Sequence, residues 1–220
     1  MFIGHFAVAF AAKRAAPRIS LGTLFVACEL VDVLWPVLVL LGIETVRINP
    51  GITAFTPLEF VHYPWTHSLL MCAFWAVGLG SLYWLLGRQT RAAIIVAAVV
   101  LSHWFLDAIV HRPDLPLVPG GETRVGLSLW NSTAATLVVE GAMFAGGLAV
   151  YLRSTNFTDR TGKIGFWILI GVLLLAYLAT AFGPPPPSVE AMAWTGLAGG
   201  IVTGAWGYWI EWHTTTSPRR

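Results

Sequence analysis

Ser102-His103-Trp104-Phe105-Leu106-Asp107 sets an imidazole and a carboxylate four residues apart inside an apolar stretch. On a helix, residues at that spacing share a face, and His111 continues the row one turn further on. The stripe then carries imidazole, carboxylate and imidazole, donors suited to zinc, manganese or magnesium. His62 and His67 lie just before and at the start of another apolar stretch, and His5 and Asp32 sit in two more. Ionisable groups inside a bilayer cost roughly 2.5–3.5 kcal/mol each on insertion scales, so they usually mark function. The pattern predicts a site for a divalent metal, zinc first and manganese or magnesium as alternatives. Its ligands are drawn from His5, Asp32, His62, His67, His103, Asp107 and His111. The competing reading of His103 and Asp107 is a hydrogen-bonded structural pair. That of His62 is a turn residue before Pro64, and that of His111 is a helix cap before Pro113.

Three further residues are candidates for catalytic work. Glu140, isolated in Val138-Val139-Glu140-Gly141-Ala142, reads as a proton carrier, a ligand or a general base. Glu29 reads first as a buried hydrogen-bonding partner that orients a histidine. Arg112, in His111-Arg112-Pro113-Asp114, offers a guanidinium to an anionic headgroup. A salt bridge to Asp114 or Glu122 explains it equally well. His213 and Glu211 read as solvated surface.

The elements that must position these groups follow from composition. Of the 220 residues, 56% are hydrophobic and only 11% charged, against roughly 25% charged in a soluble domain. The solvent for most of the chain is therefore expected to be lipid. Apolar stretches near 20–43, 66–86, 92–110, 129–152 and 164–182 are long enough to cross a bilayer, and a sixth runs near 191–211. Phe2 to Ala12 forms a shorter apolar segment, without the basic start of a signal peptide. About 11 apolar residues reach only ~16 Å, half the hydrocarbon core. The segment therefore crosses with tilt or thinning, or continues as a helix through Pro17. The predicted fold is all-α: a polytopic transmembrane helix bundle of about six spans plus a short N-terminal helix. It reads as a single domain over 1–220, with the metal-site helices within 1–150 and C-terminal spans in 164–211.

Charge distribution gives an expected orientation. Lys13, Arg14, Arg18, Arg88, Arg91, Arg153, Arg160, Lys163, Arg219 and Arg220 fall on alternate connections. Only Arg47, Arg112 and Arg124 fall on the others. The positive-inside rule makes the first side cytoplasmic, with the C-terminus inside and loops 44–65, 111–128 and 183–190 outside. A net charge of +2 and the absence of a basic stripe exclude a nucleic-acid partner. Cys28 and Cys72 read as packing residues rather than a disulfide.

Four motifs carry a resemblance. Gly4-His5, Asp32 in Leu30-Val31-Asp32-Val33, His62-Tyr63-Pro64-Trp65-Thr66-His67-Ser68, and Ser102-His103 to Asp107 followed by Asp114-Leu115-Pro116-Leu117 are similar, over roughly 1–120, to one bacterial family. It is that of the inner-membrane metal-dependent hydrolases of the LexA-regulated type. The Asp32 motif lacks the proline and second aspartate of the family pattern, and Tyr63 stands where an arginine is usual. More loosely, the order of histidines and aspartates resembles the all-helical zinc-dependent phospholipase C and nuclease fold, without its later H-x-x-x-E pair and N-terminal Trp ligand. These resemblances imply a hydrolase of the bacterial inner membrane with one or two metals. They also imply a phosphoester or related bond; the depth of the site adds a lipid or lipid-linked substrate and the loop charges place it at the outer leaflet, while the oligomeric state stays open. Two other functions compete: a transporter using the same groups for ion or proton coupling, and a metal that only staples helices.

Overall fold

The computed structural model describes residues 1–216; Arg219 and Arg220, counted above with the basic side, lie outside the described residues. The first helix, α1 (Ile3–Ala15), is the hub. It is only about 20 Å long at 1.5 Å per residue, yet Ile3, Phe6, Ala9 and Phe10 are all buried. It stops two residues before Pro17, where the ring blocks continuation. Short length is tolerable because protein, rather than lipid, surrounds most of it. Lys13, near its end, is buried and bonds the Ile19 carbonyl at 2.7 Å and Glu211 at 2.6 Å. Glu211, expected to be solvated surface, therefore closes a partly buried ion pair.

Against this hub pack α2 (Leu21–Leu40), α5 (Thr90–Val110), α6 (Thr133–Ser154) and α7 (Arg160–Phe182), while α4 (Leu69–Gly87) packs on α5. A one-turn helix, α3 (Pro64–His67), precedes α4. The five long helices have the length and apolar character to cross a membrane. The last helix, α8 (Val189–Trp212), has the length, but its glycines and threonines hold it below that apolar standard. Six spans were expected; five meet both criteria. Leu86, Val138, Leu175 and Phe182 are strongly exposed, a surface that in water would drive association and in lipid is ordinary solvation.

Local chemistry fixes the helix ends. Ser20, Ser68, Ser132, Asp159 and Ser188 each cap a helix by accepting a backbone N–H with the side chain. Ser68 is extended, with φ −74° and ψ 149°. It breaks the expected 66–86 span in two and leaves His67 on the separate turn α3. Arg88, left-handed at φ 52°, turns α4 back against α5. Small residues allow close packing between helices. A Cβ on Gly147 of α6 would overlap the Ala7 backbone of α1, and one on Gly207 of α8 would lie 2.9 Å from the Gly22 Cα of α2.

Three short antiparallel pairs close the ends. β1 (Thr45–Ile48) pairs with β2 (Leu58–His62), and β3 (Leu115–Pro116) with β4 (Arg124–Val125). Both lie at the end that α1 enters. β5 (Thr155–Phe157) pairs with β6 (Thr214–Thr216) at the opposite end. The alternation of helices puts the connections predicted to share a side at the same end of the bundle.

Candidate metal centre

Four elements deliver the polar cluster. His5 comes from the first turn of α1, Asp32 from the middle of α2, His67 from α3, and His103 with Asp107 from consecutive turns of α5. Donor atoms of His5, His103 and Asp107 lie within 4.8 Å of one another, and so do those of Asp32, His67 and His103. His103 belongs to both groups. Its Nε2 is 3.2 Å from Asp107 Oδ2 and 3.6 Å from Asp32 Oδ2. His67 Nε2 lies 3.1 Å from Asp32 Oδ1 and 3.8 Å from Asp107 Oδ2. His5 Nε2 lies 3.2 Å from Asp107 Oδ1, and its ring stacks on that of His103 with centroids 3.6 Å apart. The amine of Met1 also contacts Asp107 Oδ1.

The groups behind the rings set their orientation. His103 Nδ1 is 2.8 Å from the Cys28 carbonyl, which can only accept, so this nitrogen carries the proton. Thr66 Oγ1 spends its proton on Glu44 Oε2 at 2.7 Å, so His67 Nδ1 donates to Thr66 Oγ1, also at 2.7 Å. Glu44 is buried and additionally accepts the Trp65 and Thr66 backbone N–H groups at 2.7 and 3.0 Å. In their neutral forms, His67 and His103 thus turn unprotonated Nε2 atoms toward two carboxylates. Lone pair then faces lone pair, an arrangement that a proton on the imidazole or a divalent cation between the groups relieves. His103 Nε2 is close to Asp107 yet lacks hydrogen-bond geometry, and His5 Nδ1 has no partner among the described residues. The donor set, its burial and its spacing fit a divalent metal ion.

The remaining predicted residues fall elsewhere. His62 ends β2, exposed, outside both donor groups. His111 caps α5 and bonds Asp114 Oδ1 at 3.1 Å and the Tyr63 hydroxyl at 3.3 Å, one shell away from the cluster. Burial, with the Asp114 carboxylate as a second cause, pushes the Tyr63 hydroxyl well above the usual tyrosine range. Arg112 pairs with Asp114 Oδ2 at 3.4 Å. Glu29 lies one turn from Asp32 on the cavity wall. Glu140 Oε2 accepts the backbone N–H groups of Phe2 at 2.8 Å and Gly4 at 3.3 Å. It anchors the start of α1 and thereby the position of His5, while its Oε1 has no hydrogen-bond partner among the described residues. Glu44 and Thr66 escaped the sequence reading. Thr66 sits inside the His62-to-Ser68 motif, whereas Glu44 lies in a loop with nothing nearby in sequence to mark it.

A cavity of about 940 Å³ opens directly onto the cluster, with Asp32, His67 and Asp107 in its wall. A sequence model of the YdjM inner membrane protein family matches residues 1–185. The chain belongs to that family. The match extends the resemblance seen over 1–120 through α6 and α7, and it carries no phospholipase C relationship. No curated protein matches. No solved structure matches either.

Proposed function

We propose that this chain is a membrane-embedded, metal-dependent hydrolase that cleaves a phosphoester or related bond of a lipid or lipid-linked substrate. The observation that carries this reading is the convergence of His5, His67 and His103 on two carboxylates at the wall of a large cavity. Asp32, His67, His103 and Asp107 are the proposed ligands, joined by His5, with zinc as the metal for this nitrogen and oxygen set. A divalent cation supplies acidified water and a polarising charge at a phosphoryl or carbonyl oxygen. The chain's own residues do the rest. Glu44 and Thr66 hold His67, the Cys28 carbonyl holds His103, and Glu140 holds α1 in place. Glu29, on the cavity wall one turn from Asp32, is the proposed acceptor for the proton of attacking water.

We place the cluster end of the bundle at the outer leaflet, from the loop charges. Purified protein should release headgroup product from a panel of phospholipid and prenyl-phosphate vesicles. Chelator should abolish that release and added zinc restore it. Turnover that is indifferent to chelator, or that survives in His103→Ala, overturns the reading.

A further inference from the structure

The cavity does not stop at the cluster. It continues between α7 and α8, bounded on α7 by Leu173, Ala176 and Thr180 and on α8 by Thr195, Gly199 and Thr203. These two helices are pinned at the far end. There β5 pairs with β6, and Gly162 and Gly165 abut His213 and Trp209 so closely that a Cβ on either would clash. At the cluster end they stand apart, joined by a loop with four consecutive prolines, Pro184 to Pro187, which themselves line the cavity. Prolines lack the N–H needed for a tight hydrogen-bonded turn and keep the loop extended. The result is a V whose mouth opens sideways, with Ala176, Thr180, Thr195 and Gly199 exposed along it. From residue 191 to 203 the α8 wall runs about 18 Å along the helix axis, so the slot is long, and the cavity is largely apolar.

At its polar end the same cavity is lined by Trp35 and Trp130. Both indoles are buried, and the Nε1–H of each has no acceptor among the described residues. An indole nitrogen is a donor only, and a buried one normally finds an oxygen. One cavity thus joins a metal-binding donor set, two unspent hydrogen-bond donors and an apolar slot opening toward lipid.

We propose that the V between α7 and α8 admits the tail of a bilayer-resident phospholipid, which slides in sideways until its headgroup phosphate meets the cluster. The indole N–H groups of Trp35 and Trp130 then take the headgroup oxygens. This inference rests on the proposed hydrolase reading for the fate of the headgroup, but the binding itself requires no turnover.

The test uses the full chain in vesicles of phosphatidylglycerol doped with a phosphatidylglycerol bearing a mid-tail diazirine. After illumination, labelled peptides are mapped by mass spectrometry. Labelling is expected to concentrate on 172–180 and 192–203, several-fold above the equally lipid-facing Leu82–Leu86 surface of α4. Gly199→Leu, at a site with open space around it, should remove the enrichment, and so should Ala176→Leu on the opposite wall. Trp35→Phe should weaken it in proportion to the lost donor. Uniform labelling of both surfaces, or enrichment that both leucine variants leave intact, overturns the lateral path. Enrichment without chelator-sensitive hydrolysis keeps the path and overturns only the hydrolase reading.

Discussion

The direction in which a histidine ring points decides what it can bind, and here that direction is set from behind. His103 leans on a backbone carbonyl and His67 on a threonine whose proton is already committed to Glu44. Removing His103 deletes the one residue common to both donor groups. His103→Ala, purified without chelator and measured by elemental analysis, should lose bound divalent metal, whereas His62→Ala should retain the wild-type content. Glu140 gives the opposite pattern. Glu140→Gln exchanges a charged acceptor for a neutral one at the α1 N-terminus, a change worth about 1–2 kcal/mol from the difference between charged and neutral hydrogen bonds. Thermal unfolding in detergent should show the loss, with metal content largely kept. His5, Asp32, His67, His103 and Asp107 were legible in the sequence because apolar surroundings make ionisable groups conspicuous. Glu44 was not, because a carboxylate in a loop looks like any other.

At the scale of elements, the expected spans matched the helices to within a few residues, since twenty-residue apolar runs leave little choice in lipid. The short first segment could not be placed from its own length. What makes it tenable is Glu211, nearly two hundred residues away, which neutralises Lys13 inside the bundle. Lys13→Met leaves that carboxylate without its cation, with only the Leu21 N–H at 2.8 Å still donating to it. The expected cost lies below the ~3–5 kcal/mol of a fully enclosed pair, because Glu211 is about a quarter exposed. The double variant Lys13→Met/Glu211→Gln should recover part of the lost melting temperature. The N-cap of α7 adds a pH dependence. Hydrogen bonding to His213, followed by the Gly162 N–H, lowers the Asp159 carboxyl below its usual range. A carboxyl depressed in the folded state contributes stability above its unfolded pKa and loses it as pH falls through the folded value. Melting temperatures of the wild type and Asp159→Asn should therefore converge on acidification below the usual carboxylate range and separate, with the wild type higher, near neutrality.

For the whole molecule, the bundle has one tied end and one working end. The loop charges that suggested an orientation make it measurable. Both native cysteines, Cys28 and Cys72, are buried and free, so an impermeant thiol reagent reads only introduced sites. Leu127→Cys, exposed at the cluster end, should label in intact spheroplasts. Asn156→Cys, at the tied end, should label only after lysis; the reverse result inverts the proposed orientation. The splay of α7 and α8 was beyond the sequence. It arises from glycine contacts at one end and a proline run at the other, features that carry no periodic signal.

The place of α1 at the centre of the bundle has a consequence for how the protein is made. This helix leaves the ribosome before any of its neighbours, yet its anchor Glu140 and its closest packing partner Gly147 are more than 130 residues behind it. Before α6 has been inserted α1 can lean only on α2 and α5, without its Glu140 anchor or its seat on Gly147, and Lys13 waits for Glu211 until α8 has followed. Its docking is therefore a late event of biogenesis, and it completes at one stroke both the hydrophobic centre and the polar cluster to which it contributes His5. Every donor of the cluster lies within the first 107 residues, so the cluster is completed by the seating of α1 and not by the arrival of a further side chain.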